Sequence, residues 1–176
     1  MTDDCVKRSQ ARQSIRRYMA ESIPEEILVA ILKTGFSAPS TGNRQPWRVV
    51  QVTAKELKER LTIAAGGQTF LSRAPVVFVV CAVPQESAER HGERGFTLYA
   101  FQDTAALTQN LLIAIHLLGY ASCWISAFDE KQVIEVLNIP QGIRPVSIIP
   151  VGKLEGKLPS KPERRDMHEI IISETF

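Results

Sequence analysis

Two tight groups of basic residues and one polar loop are the places where this chain could do chemistry. Arg12, Arg16 and Arg17 stand around Ser14, and Lys161, Arg164 and Arg165 follow Pro159. A guanidinium presents a planar fork of donors that suits a phosphate, and a serine hydroxyl adds another donor. Two such groups, far apart in sequence, can close on one anion. The other reading is a solvated charged face, the ordinary fate of surface arginine. The loop Ala38-Pro39-Ser40-Thr41-Gly42-Asn43-Arg44-Gln45-Pro46-Trp47 is the most specific stretch. Asn and Gln donate and accept at once, which matches the alternating donors and acceptors on a heteroaromatic ring edge. A plain turn that satisfies its own backbone is the competing reading.

Other reactive residue types point nowhere in particular. Cys5, Cys81 and Cys123 are three and widely spaced, so neither a disulfide framework nor a zinc site is expected. Cys81 and Cys123 fall in strand-like runs and read as buried small hydrophobes. His91, His116 and His168 are dispersed without ligand spacing. There is no Gly-x-Gly-x-x-Gly and no Gly-Lys-Thr, so a separate Rossmann site for a dinucleotide is not expected.

These residues need elements to position them. A short helix is expected from Thr2 through Val6 toward Ala11, then irregular chain to Met19. Ser22 and Glu25 have capping-box spacing, with Pro24 in the first turn of a helix that stops at Gly35. Arg48 to Thr53 reads as a strand, and Thr53 with Glu56 as the cap of a helix ending at Gly66-Gly67. Val76 to Val83 is a continuous valine-rich run, the pattern of a strand buried on both faces. Residues 84–95 are polar and read as a surface loop. From Phe96 to Leu118 the pattern is helical and apolar nearly all round, which suggests burial with a second subunit covering one side. Ala121 to Ile125 is a short strand, Asp129 caps a helix to Leu137, and Ile148 to Val151 is a last core strand. Helices and strands without a strict βαβ repeat make the class α+β.

Four blocks together resemble the small FMN-dependent nitroreductases over nearly the whole chain. They are Arg12-Gln13-Ser14-Ile15-Arg16-Arg17-Tyr18, Pro39 to Trp47, Ser122-Cys123-Trp124-Ile125-Ser126-Ala127-Phe128, and Pro150-Val151-Gly152 with Lys161 to Arg165. The resemblance implies a mixed sheet flanked by helices in an intertwined homodimer, with two FMN sites at the interface and a C-terminal arm, which Ile170 to Ile172 fits, reaching the partner. It assigns the FMN phosphate to Arg12 and Ser14 with Lys161 and either Arg164 or Arg165, since Glu163 interrupts the usual Lys-Pro-Arg run. Gln13 would contact the ribityl or phosphate region, and Arg16 the pyrimidine edge, where a cation stabilises reduced flavin. Pro39, Ser40, Thr41, Asn43 and Gln45 would come from the partner to the ring edge. Main-chain groups of Ile125, Ser126 and Ala127 would face the ring near N5, although relatives often carry Gly at 126 or 127. Gln68 is a further candidate for the pyrimidine edge. The chain lacks the helical insertion that covers the pocket in larger members, leaving 84–95 as the candidate lid. Phe70, Phe96 and Tyr99 flank that segment and either wall the pocket or pack into the core.

The implied activity is NAD(P)H-dependent reduction of nitroaromatics, quinones or related electron-poor acceptors by a ping-pong route through flavin N5. A non-catalytic flavin-binding module and a dehalogenase-type enzyme on the same scaffold are the alternatives. Composition agrees. The 176 residues, 44% hydrophobic and 23% charged, suit one domain spanning 1–176 with a core that needs no staple. Twenty-one basic against 19 acidic residues leave a net charge of +2, too small to imply nucleic-acid binding. No apolar run reaches membrane-spanning length, and no signal peptide is read at the N-terminus. A cytoplasmic location is the expectation.

Overall fold

A computed structural model describes residues 2–176. Four strands form one sheet: β1 (Trp47–Val52), β2 (Val76–Ala82), β3 (Ala121–Ser122) and β4 (Arg144–Gly152), in the order β1-β2-β4-β3. All three pairings are antiparallel, with Val50 opposite Val79 and Val79 opposite Ile148. The mixed character expected of the sheet is therefore not supplied by strands of one chain. A bulge between Val80 and Cys81 shifts the β2–β4 register.

The strand β2 explains the layering. All seven of its residues are buried, and successive side chains of a strand point to opposite faces. Val77, Val79 and Cys81 pack with Leu61 of α3 (Lys55–Ala64), Leu71 of α4 (Phe70–Arg73) and Val133 of α7 (Glu130–Leu137). Val76, Phe78 and Val80 pack with Ile31 of α2 (Glu25–Phe36) and with Leu107, Leu111 and Ile115 of α6 (Ala100–Leu117). A strand covered on both faces reads as a continuous apolar run, which is why its sequence has no alternation. On the second face α2 and α6 approach so closely that a Cβ on Gly35 would overlap the Leu111 side chain. The expected helix at the start is α1 (Thr2–Ala11).

Several local expectations need correction. Residues 84–95 are not a loop: Pro84–Arg94 is a helix, α5, with Pro84 in its first turn and Ser87 buried. The polar composition reflects its largely exposed surface. A wide π turn, Gly95–Tyr99, then leads into α6, so the long helix does not start at Phe96. Neither Ser22 nor Thr53 caps a helix. The Pro24 carbonyl accepts from Ile27 N and Leu28 N instead, and the caps are Pro24 and Ala54, without a side-chain bond. Asp129 does cap α7, accepting from Gln132 N at 3.0 Å. The helix α6 hides more apolar surface in one chain than expected: Leu107, Leu111, Leu112, Ala114 and Ile115 are all buried, while Leu118 stays exposed.

Candidate functional site

The N-terminal basic group is held in place by the residues between its charges. Ile15 and Tyr18 are buried while Ser14, Arg16 and Arg17 are exposed. Ile15 N donates to Ser122 O at 2.9 Å, Met19 N donates to Lys153 O at 3.0 Å, and Tyr18 bridges Leu154. The buried pair thus docks residues 14–19 beside β3 and the end of β4, and turns the polar residues outward. The chain after β4 then returns across them. Gln13 Nε2 donates to Pro159 O at 3.2 Å, Arg17 donates to Lys157 O at 2.6 Å, and Lys161 Nζ donates to Gln10 O.

The two basic groups consequently share one cavity of about 530 Å³, walled by Arg12, Gln13, Ser14, Arg16, Lys161 and Arg164 among others. No carboxylate among the described residues pairs with Arg12, Arg16, Lys161 or Arg164. Cations gathered without a counter-ion, beside a serine hydroxyl, can serve as a donor set for a phosphate. Arg165 is turned away and bonds Glu169 at 3.2 Å, so the structure favours Arg164 of the two candidates.

Cys123, read from the sequence as a buried small hydrophobe, adjoins the cavity residues Ser14 and Arg16. Its thiol contacts the side chains of Ser14 and Arg16. Burial pushes its pKa up, with Arg16 and Ser14 partly opposing the rise. Burial also pushes the Cys81 thiol up to about 12. Burial thus disfavours the thiolate at both positions, which argues against a nucleophilic role. A thiol reagent at pH 8 is therefore expected to label one cysteine in the native protein, the exposed Cys5, and three in guanidinium. Rapid native labelling of two or three would contradict the burial. Above the unfolded thiol's ordinary value of 9.0, the fold must hold the Cys81 proton against solvent. Stability from this group is full below that pH and is lost toward about 12.

Arg16 links the cavity to the next group. Its guanidinium lies 5.9 Å from the centre of the Phe70 ring, and Gln68 is two residues away. Gln68 Nε2 donates to Ala65 O at 2.9 Å and to Ala127 O at 3.4 Å, which brings Gln68 to the 125–127 segment. Ile125 pairs with Ile148 through its N–H and C=O, at 2.9 and 3.0 Å, so its N–H is already engaged. The N–H groups of Ser126 and Ala127 remain without a partner among the described residues.

The polar loop stands apart. Thr41 N and Oγ1 donate to Asp103 Oδ1 at 3.0 and 3.1 Å, and Ser40 Oγ accepts from Gln45 N at 2.9 Å. Gly42, Asn43 and Gln45 all have φ between 50° and 60°, a conformation that Asn tolerates better than most residues. The side chains of Asn43 and Gln45 bond each other at 3.3 Å. Pro39, Asn43 and Gln45 are exposed. The loop's other partners lie on α5, where Arg44 pairs with Glu89 and Arg90 donates to Gly42 O at 3.2 Å. No loop residue lines the basic cavity. The aromatic trio divides accordingly. Phe70 stands at Arg16, whereas Phe96, half exposed, and Tyr99 belong to the turn after α5.

Among the described residues no group of His, Cys, Asp and Glu could hold a metal, and no helix is long and apolar enough to cross a membrane. The model of the nitroreductase family matches residues 10–68 and 62–153. An Archaeoglobus fulgidus protein, provisionally named an NADH dehydrogenase/NAD(P)H nitroreductase, is 32% identical over 85% of this chain and 85% of its own length. The FMN reductase (NADPH) of Bacillus subtilis is 27% identical over 89% of this chain and 70% of its own. The solved structure of NfrA2 from B. megaterium superposes with a TM-score of 0.89 at 26% identity, covering 98% of this chain and 75% of that one.

Proposed function

The chain belongs to the nitroreductase family, and from that premise we propose that it is an FMN-dependent oxidoreductase. It takes electrons from NAD(P)H and delivers them, by a ping-pong route, to nitroaromatics, quinones or related electron-poor acceptors. The observation that carries this reading is the carboxylate-free basic cavity formed by two segments about 150 residues apart. The names of the relatives, an FMN reductase among them, support the choice of cofactor.

In this reading residues 1–176 are one domain. Arg12, Ser14, Lys161 and Arg164 hold the phosphate, and Gln13 the neighbouring ribityl chain. Lys161 spends one of its three donors on Gln10 O, which fixes the ammonium while leaving two for an anion. Arg16 places a charge where Phe70 and Gln68 approach, and so favours an anionic reduced ring. The unpartnered N–H groups of Ser126 and Ala127 are donors for its edge. Pro39, Ser40, Thr41, Asn43 and Gln45 complete the ring site from the partner subunit of a homodimer, because within one chain their contacts run to α5 and α6. FMN, when bound, supplies the two-electron chemistry that no side chain of this protein supplies.

Purified protein should be yellow, and should bleach under nitrogen on addition of NADH or NADPH. Colourless protein that takes up no added FMN would remove the flavin reading. Yellow protein that neither nicotinamide reduces would favour a binding module. Mixing the reduced protein with quinones, nitroaromatics and halophenols in stopped flow then identifies the acceptor class. Fast oxidation by halophenols alone would reassign it as a dehalogenase.

A further inference from the structure

We propose that Arg90 and Arg94, at the C-terminal end of α5, bind the phosphate groups of the nicotinamide dinucleotide donor. The proposal rests on the functional reading above. Charge accounting on this surface isolates the two residues. Of the acidic residues of α5, Glu86 pairs with Arg48 and Glu89 with Arg44. Glu93 is exposed and pairs with neither arginine. Arg90 and Arg94 are left, one on each side of the kink at Gly92 (φ 57°), and joined through His91 and Tyr99, with no carboxylate partner among the described residues.

Both guanidinium groups are nevertheless held in place. Arg94 lies over the Tyr99 ring at 5.2 Å and donates from Nε to the Tyr99 hydroxyl at 3.0 Å. His91 braces that ring edge-on at 5.5 Å. The outer nitrogens of Arg94 remain free, in the fork that binds phosphate. Arg90 spends one donor on Gly42 O. A Cβ on Gly42 would come within 2.9 Å of His91 Nε2 and 3.2 Å of Arg90, so loop and helix form one packed unit. Solvent-facing arginines usually keep their rotamer freedom. Here that entropy is already given up, through contacts that leave phosphate-binding atoms exposed.

The unit also determines where these charges lie. Ser40, Thr41 and Asn43 occupy the same loop that is proposed to reach the flavin ring of the partner. Arg90 and Arg94 travel with it to the rim of that site. A dinucleotide with its nicotinamide over the ring extends its phosphates outward, toward such a rim. The basic cavity at Arg12 is filled by the FMN phosphate, so this second cationic group is available to the donor.

The test uses the FMN-loaded protein and compares wild type with Arg94→Gln, Arg94→Lys and Arg90→Gln. The probe for direct binding is 2′,5′-ADP, followed by calorimetry without turnover. Arg94→Gln should weaken it about tenfold, the scale of one charge-assisted hydrogen bond. Arg94→Lys should recover part of the loss. KM for NADPH should rise by a similar factor rather than kcat fall, with FMN affinity changed less than twofold. An effect on NADPH alone would place the 2′-phosphate here, and an equal effect on NADH the pyrophosphate. Arg90→Gln should act in the same direction. Unchanged 2′,5′-ADP binding and unchanged KM in both glutamine variants would overturn the proposal while leaving the oxidoreductase reading intact. Binding of 2′,5′-ADP that depends on Arg94, in a protein whose flavin no nicotinamide reduces, would keep the anion site and overturn the functional reading.

Discussion

Replacing Arg12 or Lys161 with alanine should weaken FMN binding about 10- to 150-fold, which corresponds to about 1.5–3 kcal/mol for a hydrogen bond to a charged group. The cavity supplies the reason. Arg12, Arg16, Lys161 and Arg164 line it with Ser14, and none has a carboxylate partner among the described residues. A phosphate there replaces water as the partner of several cations, so removing one of them costs the phosphate a charge-assisted bond. Arg165 is the internal control. It is 72% exposed and bonded to Glu169, so Arg165→Ala should change affinity less than threefold. Lys161 also ties the returning chain to Gln10, and thermal unfolding of the apo-protein separates that structural part from loss of the anion contact. Quenching of flavin fluorescence on titration gives the affinities. Equal affinity for wild type, Arg12→Ala and Lys161→Ala would return these residues to a solvated face.

Removing residues 166–176 should convert a dimer into dissociated chains and release the flavin. The full chain should sediment as a dimer at micromolar concentration, with an interface above ~2,000 Å². The terminal segment shows why. Met167, Ile170, Ile171 and Ile172 are each 51–67% exposed, and Phe176 is fully exposed. Such a run of exposed apolar groups suits the arm expected to reach a partner chain. The proposed ring site would have the same requirement, because the loop bearing Ser40, Thr41 and Asn43 is fastened to α5 and Asp103 and does not line the basic cavity of its own chain. Truncation should therefore lower FMN affinity at least tenfold with Arg12 and Lys161 intact. A full chain that sediments as a monomer and still binds FMN tightly would refute both the dimer and the shared site.

The sequence by itself determined the elements whose local pattern is unambiguous. The valine-rich run at 76–83 reads as a strand covered on both faces, and Val76–Ala82 is one. Asp129 stood at a helix start with no rival cap. The Arg12–Tyr18 block and the Pro39–Trp47 loop were recognisable as candidate site segments because their residue types and order are unusual for turns. Polarity misled where it was read as irregularity, as in 84–94, since a surface helix and a loop have similar composition and only the packing of Pro84 and Ser87 separates them. Capping spacing at Ser22 and Thr53 misled because backbone carbonyls and the geometry of the preceding residue filled the role.

Tertiary structure alone decided which charges meet. Arg12 and Lys161 are far apart along the chain, and their closure depends on Ile15 and Tyr18 docking one segment while Gln13 and Arg17 receive the other. The preference for Arg164 over Arg165 follows from which way the returning chain faces the cavity. The same holds for the backbone of Ile125, spent on Ile148, and for the pairings on α5 that leave Arg90 and Arg94 unmatched. Side-chain periodicity is a local property, set by rotation per residue along a helix or strand. Which ion pairs form and which cations remain unpaired depends on distances between segments, and those distances exist only once the chain has folded.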